Sequence, residues 1–458
     1  MRRFGRSSGG AYVEAQINVS HLATELTARS RRVLTRLVSP GLTHAVLFRG
    51  SFIAAGGMIA QAIPFLAMPA LTRLYDPSAF GLYTIIASLV GCIGAAAPMK
   101  FDVAVPISKT PDEARSLWQI STIVTVLILA LLLLIGRSSP SWLEHIDISP
   151  TGGTWPLVLV ASGVVAAFQY SNAWLLYAHS YVAISLIKLV RGLSFVGFAL
   201  LFFNTRLGNR GLLFGFLVAA LVGAIISFVM ALVRGLHPFK LERIWQVFSR
   251  YSDFPLKAAV PAMLDLVALT APLLAISRFY SLGDAAMFGL FRQAITAPLS
   301  LVSAAFGQVL TRQLAELIAS KQHAYRLVLN TFVVLSGISS VIAVAILLEG
   351  PQIFRIIYGA KWPEAGSFAI ILVIPAVCQF VASALSGALI ALRRLTWLAY
   401  WQISYFVFIF FLIYSEPQSI KQFLYGLAAI DVVLSLAYLI IIARAVLSYE
   451  RSECEASA

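Results

Sequence analysis

The stretch RLYDPSAFGLY, Arg73 to Tyr83, is written a second time as RFYSLGDAAMFGLF, Arg278 to Phe291. Both copies open with arginine, an apolar residue and tyrosine, and both close with Phe-Gly-Leu and an aromatic ring. Either fragment alone recurs by chance in an apolar chain. Both together, in order and at equivalent turns, point to an internal duplication, so the surrounding layout has to be read first.

Residues AVILMFWYC make up 59% of the 458-residue chain and DEKR only 12%, with a mean hydropathy of +0.86. A soluble domain is about a quarter charged, so most of this surface must face lipid. Charge-free runs such as 51–72, 116–136, 211–233 and 365–392 are long enough to cross a hydrocarbon core of about 30 Å. The run 148–187 is too long for one crossing and divides at His179 and Ser180. About twelve spans result, near 48–72, 79–98, 115–136, 155–178, 182–204, 211–233, 255–277, 285–311, 326–348, 365–391, 395–414 and 421–443. Lipid-exposed backbone must satisfy its own hydrogen bonds, and no run alternates like a barrel strand. The expected fold is therefore all-α and integral to the membrane.

An amino terminus in the cytoplasm puts 22 Lys and Arg residues on or near that side and eight opposite, the bias expected of cytoplasmic loops. Both termini then lie inside. The formal charge of +14 follows largely from topology, and basic residues scattered over short loops do not suggest nucleic acid. Residues 1–43 read as a basic leader without the apolar core of a cleaved signal; a short basic helix on the anionic leaflet is the alternative. Cys92, Cys378 and Cys454 have no metal-ligand spacing.

With twelve spans, the two Phe-Gly-Leu elements follow spans 1 and 7. Both emerge on the outer face, the mark of a parallel repeat with its axis along the membrane normal. The organisation expected is a leader 1–43, a six-helix lobe 44–233, a linker 234–254, a second lobe 255–445 and a tail 446–458. Gly81 and Gly289 let their helices start close to a neighbour. The rings of Tyr75, Phe80, Tyr280 and Phe288 fall at the outer interface, where the tyrosines suit an aromatic belt.

PALTRLYDPSAFGLYTIIASLV (69–90), KFDVAVPISKTPDEARSL (100–117) and RYSDFPLKAAVPAMLDLVALTAPLLAISRFYS (250–281) resemble the polysaccharide-transporter family, which includes Wzx-type flippases, within the multidrug and oligosaccharidyl-lipid exporter superfamily. The likeness runs from about residue 46 to 447. It implies two six-helix lobes around a cavity lined chiefly by spans 1, 2, 7 and 8. It further implies a bacterial inner-membrane protein that turns over an oligosaccharide on undecaprenyl pyrophosphate, for O-antigen or exopolysaccharide synthesis. Membrane lipids, a glycan polymerase and chain-length proteins are the implied partners, and no cofactor is expected.

A charge at the bilayer centre costs about 2.5–3.5 kcal/mol or more, so each one needs a salt bridge, an interface or a ligand. Arg292 lies about 10 Å into the eighth span. It could meet an anionic lipid head or pair with Asp265. Arg49 sits near the inner start of span 1, and the repeat offset leads from it to Phe254, close to Lys257. The two cations suit a pyrophosphate, or both snorkel to inner-leaflet phosphates. Asp265 and Asp431, each near mid-membrane, are candidates for coupling to a proton or cation; pairing inside a lobe is the alternative. Gln61 and Tyr83 could bond sugar hydroxyls, or serve helix–helix contact equally well. Lys188 and Arg191 share a helix face and read as structural, as does Asp102 after Lys100.

No P-loop, HExxH or paired cysteines occur, so the chain does not read as an enzyme or as directly driven by ATP. Two rivals to a flippase remain. A cation-coupled drug antiporter of the same fold would need acidic cavity residues. A membrane glycan polymerase or ligase would be expected to carry a large periplasmic loop.

Overall fold

The computed structural model describes residues 62–138, 154–237, 244–253, 255, 259–320, 322–392 and 394–457. Arg49, Gln61 and Lys257 lie outside them. The described residues form helices and turns with no strand among them. Helices are what apolar windows without a polar face must form in lipid. We number the membrane helices α1 (Ala62–Leu74), α2 (Pro77–Ala96), α3 (Pro111–Ser138), α4 (Thr154–Tyr177), α5 (Tyr181–Phe203) and α6 (Gly211–Val233) in the first half. The second half holds α7 (Val260–Phe279), α8 (Leu282–Ala319), α9 (Tyr325–Tyr358), α10 (Pro363–Ala391), α11 (Leu395–Tyr414) and α12 (Ile420–Ser457).

Several helices outrun their expected bounds. Ser281 starts α8 early: its hydroxyl accepts the Asp284 N–H at 2.9 Å, an N-cap that satisfies an orphan donor. Helix α9 continues beyond residue 348, where a connection was expected. The chain bends at Glu349 (φ −135°), next to Pro351, then resumes helix to Tyr358; a proline inside a helix removes one backbone bond and crowds the preceding turn. Helix α12 runs to Ser457. The basic linker also contains a short helix, Ile244–Arg250. Its Phe248 packs on Phe101, and Arg250 pairs with Glu113 at 3.1 Å.

The duplicated motif lies in the interior. Tyr75 and Phe80 are fully buried and Phe288 is 4% exposed, so these rings do not form the expected belt. The physical reason is hydrogen bonding within each half. Tyr75 donates to the Ala199 carbonyl on α5 at 2.6 Å, and Tyr280 donates to the Pro417 carbonyl after α11 at 2.7 Å. Each tyrosine thus pins its half's first helix to the carboxyl-terminal end of that half's fifth.

The two Phe-Gly-Leu elements meet each other. A Cβ on Gly81 would collide with the backbone of Leu282, and one on Gly289 would sit 2.5 Å from the Thr84 methyl. Only glycine lets α2 and α8 approach this closely. One large apolar core joins Leu71, Tyr75 and Phe80 of the first half to Ile276, Phe288, Phe354 and Trp362 of the second. Two smaller cores fill the rest of the first half.

Candidate functional site

A cavity of about 520 Å³ opens just past the α2–α8 contact, with Thr84 and Gly289 in its wall. Helix α7 contributes Asp265 and Leu269. Helix α8 contributes Arg292, Gln293, Thr296, Ser300 and Ser303. Gln379, Ser383 and Ser386 come from α10, Trp401 and Tyr405 from α11, and Ser435 and Tyr438 from α12. Among the described residues the first half supplies only Thr84 and Ser88. The wall expected from spans 1, 2, 7 and 8 is therefore found in α2, α7 and α8, with α10, α11 and α12 added. The second half carries most of it.

Local backbone aims Arg292 into this space. Residues Arg292–Thr296 form a π-helical turn inside α8, a one-residue excess that rotates the helix and is common at functional sites. Because α8 begins at Leu282, Arg292 lies about 15 Å along its axis, deeper than the expected 10 Å. Its Nη1 donates to the Leu269 carbonyl at 2.9 Å. Pro272, three residues further on, has no N–H to bond the neighbouring Ala268 carbonyl, which loosens this turn of α7. Guanidinium carries five N–H donors, so the others stay available to the cavity.

The expected alternative, an ion pair between Arg292 and Asp265, does not form. Both line the cavity, but the acidic group that acts on Arg292 electrostatically is Asp431. Asp265 has no hydrogen-bond or ion-pair partner among the described residues. Asp431 interacts with the Tyr405 hydroxyl, while its Oδ1 is buried without a hydrogen-bond partner. Arg292, Tyr405, Asp431 and Gln379 surround a second, smaller space of about 60 Å³ next to the first.

Tyr83 does not line the cavity. It is 7% exposed, stacked 5.6 Å from Phe195, and in contact with the Gln293 side chain of α8. The helix–helix account is the one this position favours. Arg191 likewise packs inward, its guanidinium 4.7 Å from the centre of the Phe168 ring. Sequence reasoning missed Gln293, Gln379, Trp401, Tyr405, Tyr438 and the cavity serines. A signal existed: polar residues at 292, 293, 296, 300 and 303, and at 379, 383 and 386, recur every three or four positions in apolar helices. The aromatic wall is compact, with Trp401 5.6 Å from Tyr405 and 5.1 Å from Tyr438.

Two halves of membrane helices, with a cavity walled mainly by the second, define a multi-pass membrane protein with the fold of two-lobe exporters. Residues 70–367 match the family described as polysaccharide biosynthesis protein. That is more than half of the chain, and the chain belongs to this family. No curated protein sequence matches it. Solved structures do. An inward-facing multidrug resistance MATE family transporter of the MOP superfamily has a TM-score of 0.64 at 13% identity, over 87% of this chain and 99% of that one. The lipid II flippase MurJ in an inward closed conformation scores 0.66 at 13% identity, over 88% and 90%. The Vibrio cholerae MATE transporter VcmN scores 0.56 at 14% identity, over 88% and 98%. At such identities the likeness is one of fold.

Proposed function

We propose that this protein is a flippase for an oligosaccharide carried on a polyprenyl pyrophosphate, undecaprenyl pyrophosphate in a bacterial inner membrane. It would serve O-antigen or exopolysaccharide synthesis and work by alternating access of its two halves. The observation that carries this reading is the chemistry of one cavity. A guanidinium held by a backbone carbonyl, not by a carboxylate, keeps donors for a phosphate, which it can grip with two at once. Around it, hydroxyl and amide side chains and an aromatic wall suit sugar rings, which present hydroxyls at their edges and C–H groups on their faces. The polyprenyl tail stays in lipid. Arg49 and Lys257 are proposed as further phosphate contacts, and both termini are proposed to be cytoplasmic. A polymerase and chain-length proteins would act downstream on the outer leaflet.

Asp265, facing the cavity without a partner among the described residues, favours coupling to a proton or another cation, with Asp431 behind it. That same carboxylate is what supports the rival reading, a cation-coupled drug antiporter. The catalytic rival has less support: the family match, residues 70–367, falls on the membrane helices, and the neighbours of the same fold are transporters and a flippase.

The test is translocation of a labelled lipid-linked oligosaccharide in vesicles, together with surface glycan in cells. Arg292→Ala should stall the lipid on the inner leaflet. Arg292→Lys, which keeps the charge but loses the fork, should fall about tenfold or more, since a hydrogen bond to a charged group is worth about 1.5–3 kcal/mol. Wild-type rates in both variants would end the proposal. Export of cationic dyes lost in Asp265→Asn would favour the antiporter, and joining of two lipid-linked glycans by purified protein would favour an enzyme.

A further inference from the structure

The two copies of the motif differ at one position that has the same local job in each. Asp76 and Ser281 both follow the Arg-x-Tyr triplet, and both occupy the N-cap of the next helix. Ser281 caps its own helix. Asp76 makes no side-chain cap at all, although aspartate is among the best capping residues. Its carboxylate instead pairs with Lys361 of the second half and accepts from Asn209 Nδ2 at 2.9 Å.

Around this pair, two helix ends cap one another across the halves. The last four carbonyls of any helix lack intrahelical donors. At the end of α9, Arg73 Nη2 donates to the Ile356 carbonyl at 2.9 Å. Thr72 Oγ1 shares its one hydrogen between the Met68 carbonyl of its own helix and the Tyr358 carbonyl, and lies 3.0 Å from each. A cation also suits the negative end of the α9 dipole. At the end of α1, Trp362 Nε1 returns a bond to the Thr72 carbonyl at 2.8 Å. Thr72 and Trp362 are fully buried, and Trp362 meets Phe80 edge-on at 5.2 Å. Gly359, at φ +106°, turns the chain where Arg73 lies 3.2 Å from its Cβ position, a conformation an L side chain rarely adopts.

We infer that this clasp, Thr72–Asp76 against Ile356–Trp362, is the gate of the cavity on the Arg73 face, and that its release is the step that opens the cavity there. The cavity begins directly beneath it, at Thr84 and Gly289. The inference uses the two-half alternating motion of the proposed function but not its substrate. Capping bonds and an ion pair suit a reversible gate: each group exchanges its partner for water on opening, so the two states stay close in energy.

The test reads accessibility. In a chain whose Cys92, Cys378 and Cys454 are alanine, a single cysteine at Ser88 reports the cavity to a membrane-impermeant maleimide added on the Arg73 face. Lys361→Ala should raise its labelling rate about two- to fivefold, the shift expected from an exposed ion pair. The exchanged pair Asp76→Lys with Lys361→Asp should bring it back. A disulfide between Asp76→Cys and Lys361→Cys should abolish labelling from this face and preserve it from the opposite one. An unchanged rate in Lys361→Ala, exchanged charges that label as fast as the single variant, or a disulfide that leaves labelling intact each overturns the gate. No transported lipid enters the measurement, so this failure is separate from a failure of the flippase reading.

Discussion

Asp265 and Asp431 are two carboxylates in one half that the fold treats differently. Asp431 is drawn into a hydrogen-bonding contact with Tyr405 beside Arg292, whereas Asp265 faces the cavity near Tyr405 with no hydrogen-bond or ion-pair partner among the described residues. A group that can change its charge or bind a cation without breaking protein contacts is the better place for coupling. Replacement of Asp265 by Asn should therefore leave binding of a polyprenyl pyrophosphate unchanged while removing the dependence of transport on an ion gradient. Transport by that variant that still responds fully to the gradient would move the coupling elsewhere. The sequence showed both aspartates as costly intramembrane charges, which is a statement about each residue and lipid. Their separate surroundings depend on Tyr405, from a helix more than a hundred residues after Asp265, and no local pattern contains that information.

Between elements, the decisive contact is α2 against α8. Helix-to-helix association in a membrane relies on close approach of small residues, and here Gly81 and Gly289 each face the other helix. Adding one methyl group by Gly289→Ala places it 2.5 Å from the Thr84 methyl, and overpacking of this kind costs about 1–3 kcal/mol. The expected result is a lower melting temperature in detergent, partly restored by shortening Thr84 to Ala in the same chain. A Gly289→Ala protein that melts like the wild type would mean that α2 and α8 are less tightly joined. The two glycines were readable as a repeated Phe-Gly-Leu, but their meeting was not. The π-turn at Arg292–Thr296 was also invisible, because one extra residue per turn leaves an apolar sequence unchanged in composition. A helix bound failed where a cap, and not hydropathy, sets the end, as at Ser281, whereas the bend at Glu349 falls where hydropathy ended the ninth span.

At the scale of the molecule, the duplicated chain has used its copies unequally. In the first half Asp76 reaches across to Lys361; in the second, Ser281 serves its own helix. Lys361 and then Asn209, by hydrogen bonding, hold the Asp76 carboxyl below its ordinary value of 3.8. A carboxylate stabilised in the folded state contributes above its unfolded value and loses that contribution as pH falls through the lower folded value. The clasp should therefore be indifferent to pH from about 5 to 8 and weaken only under strong acid, with Lys361 and Asn209 as the groups facing it. The melting difference between wild type and Asp76→Asn should be flat across that range and close below 3.8. A difference that changes near neutrality would mean that another group sets the clasp.

Hydropathy alone determined that this chain lives in a bilayer as helices, because no polar backbone can face hydrocarbon unpaired. Its repeated motif determined that there are two related halves, since a fragment with that much order is not rewritten by chance. Tertiary structure decided which faces of those helices meet, that the cavity belongs mainly to the second half, and that Arg292 bonds a carbonyl in place of Asp265. The reason is one of range. Burial in lipid acts on every residue of a span alike and leaves its mark in composition, whereas caps, clasps and cavity walls join residues hundreds of positions apart and exist only once the halves have packed.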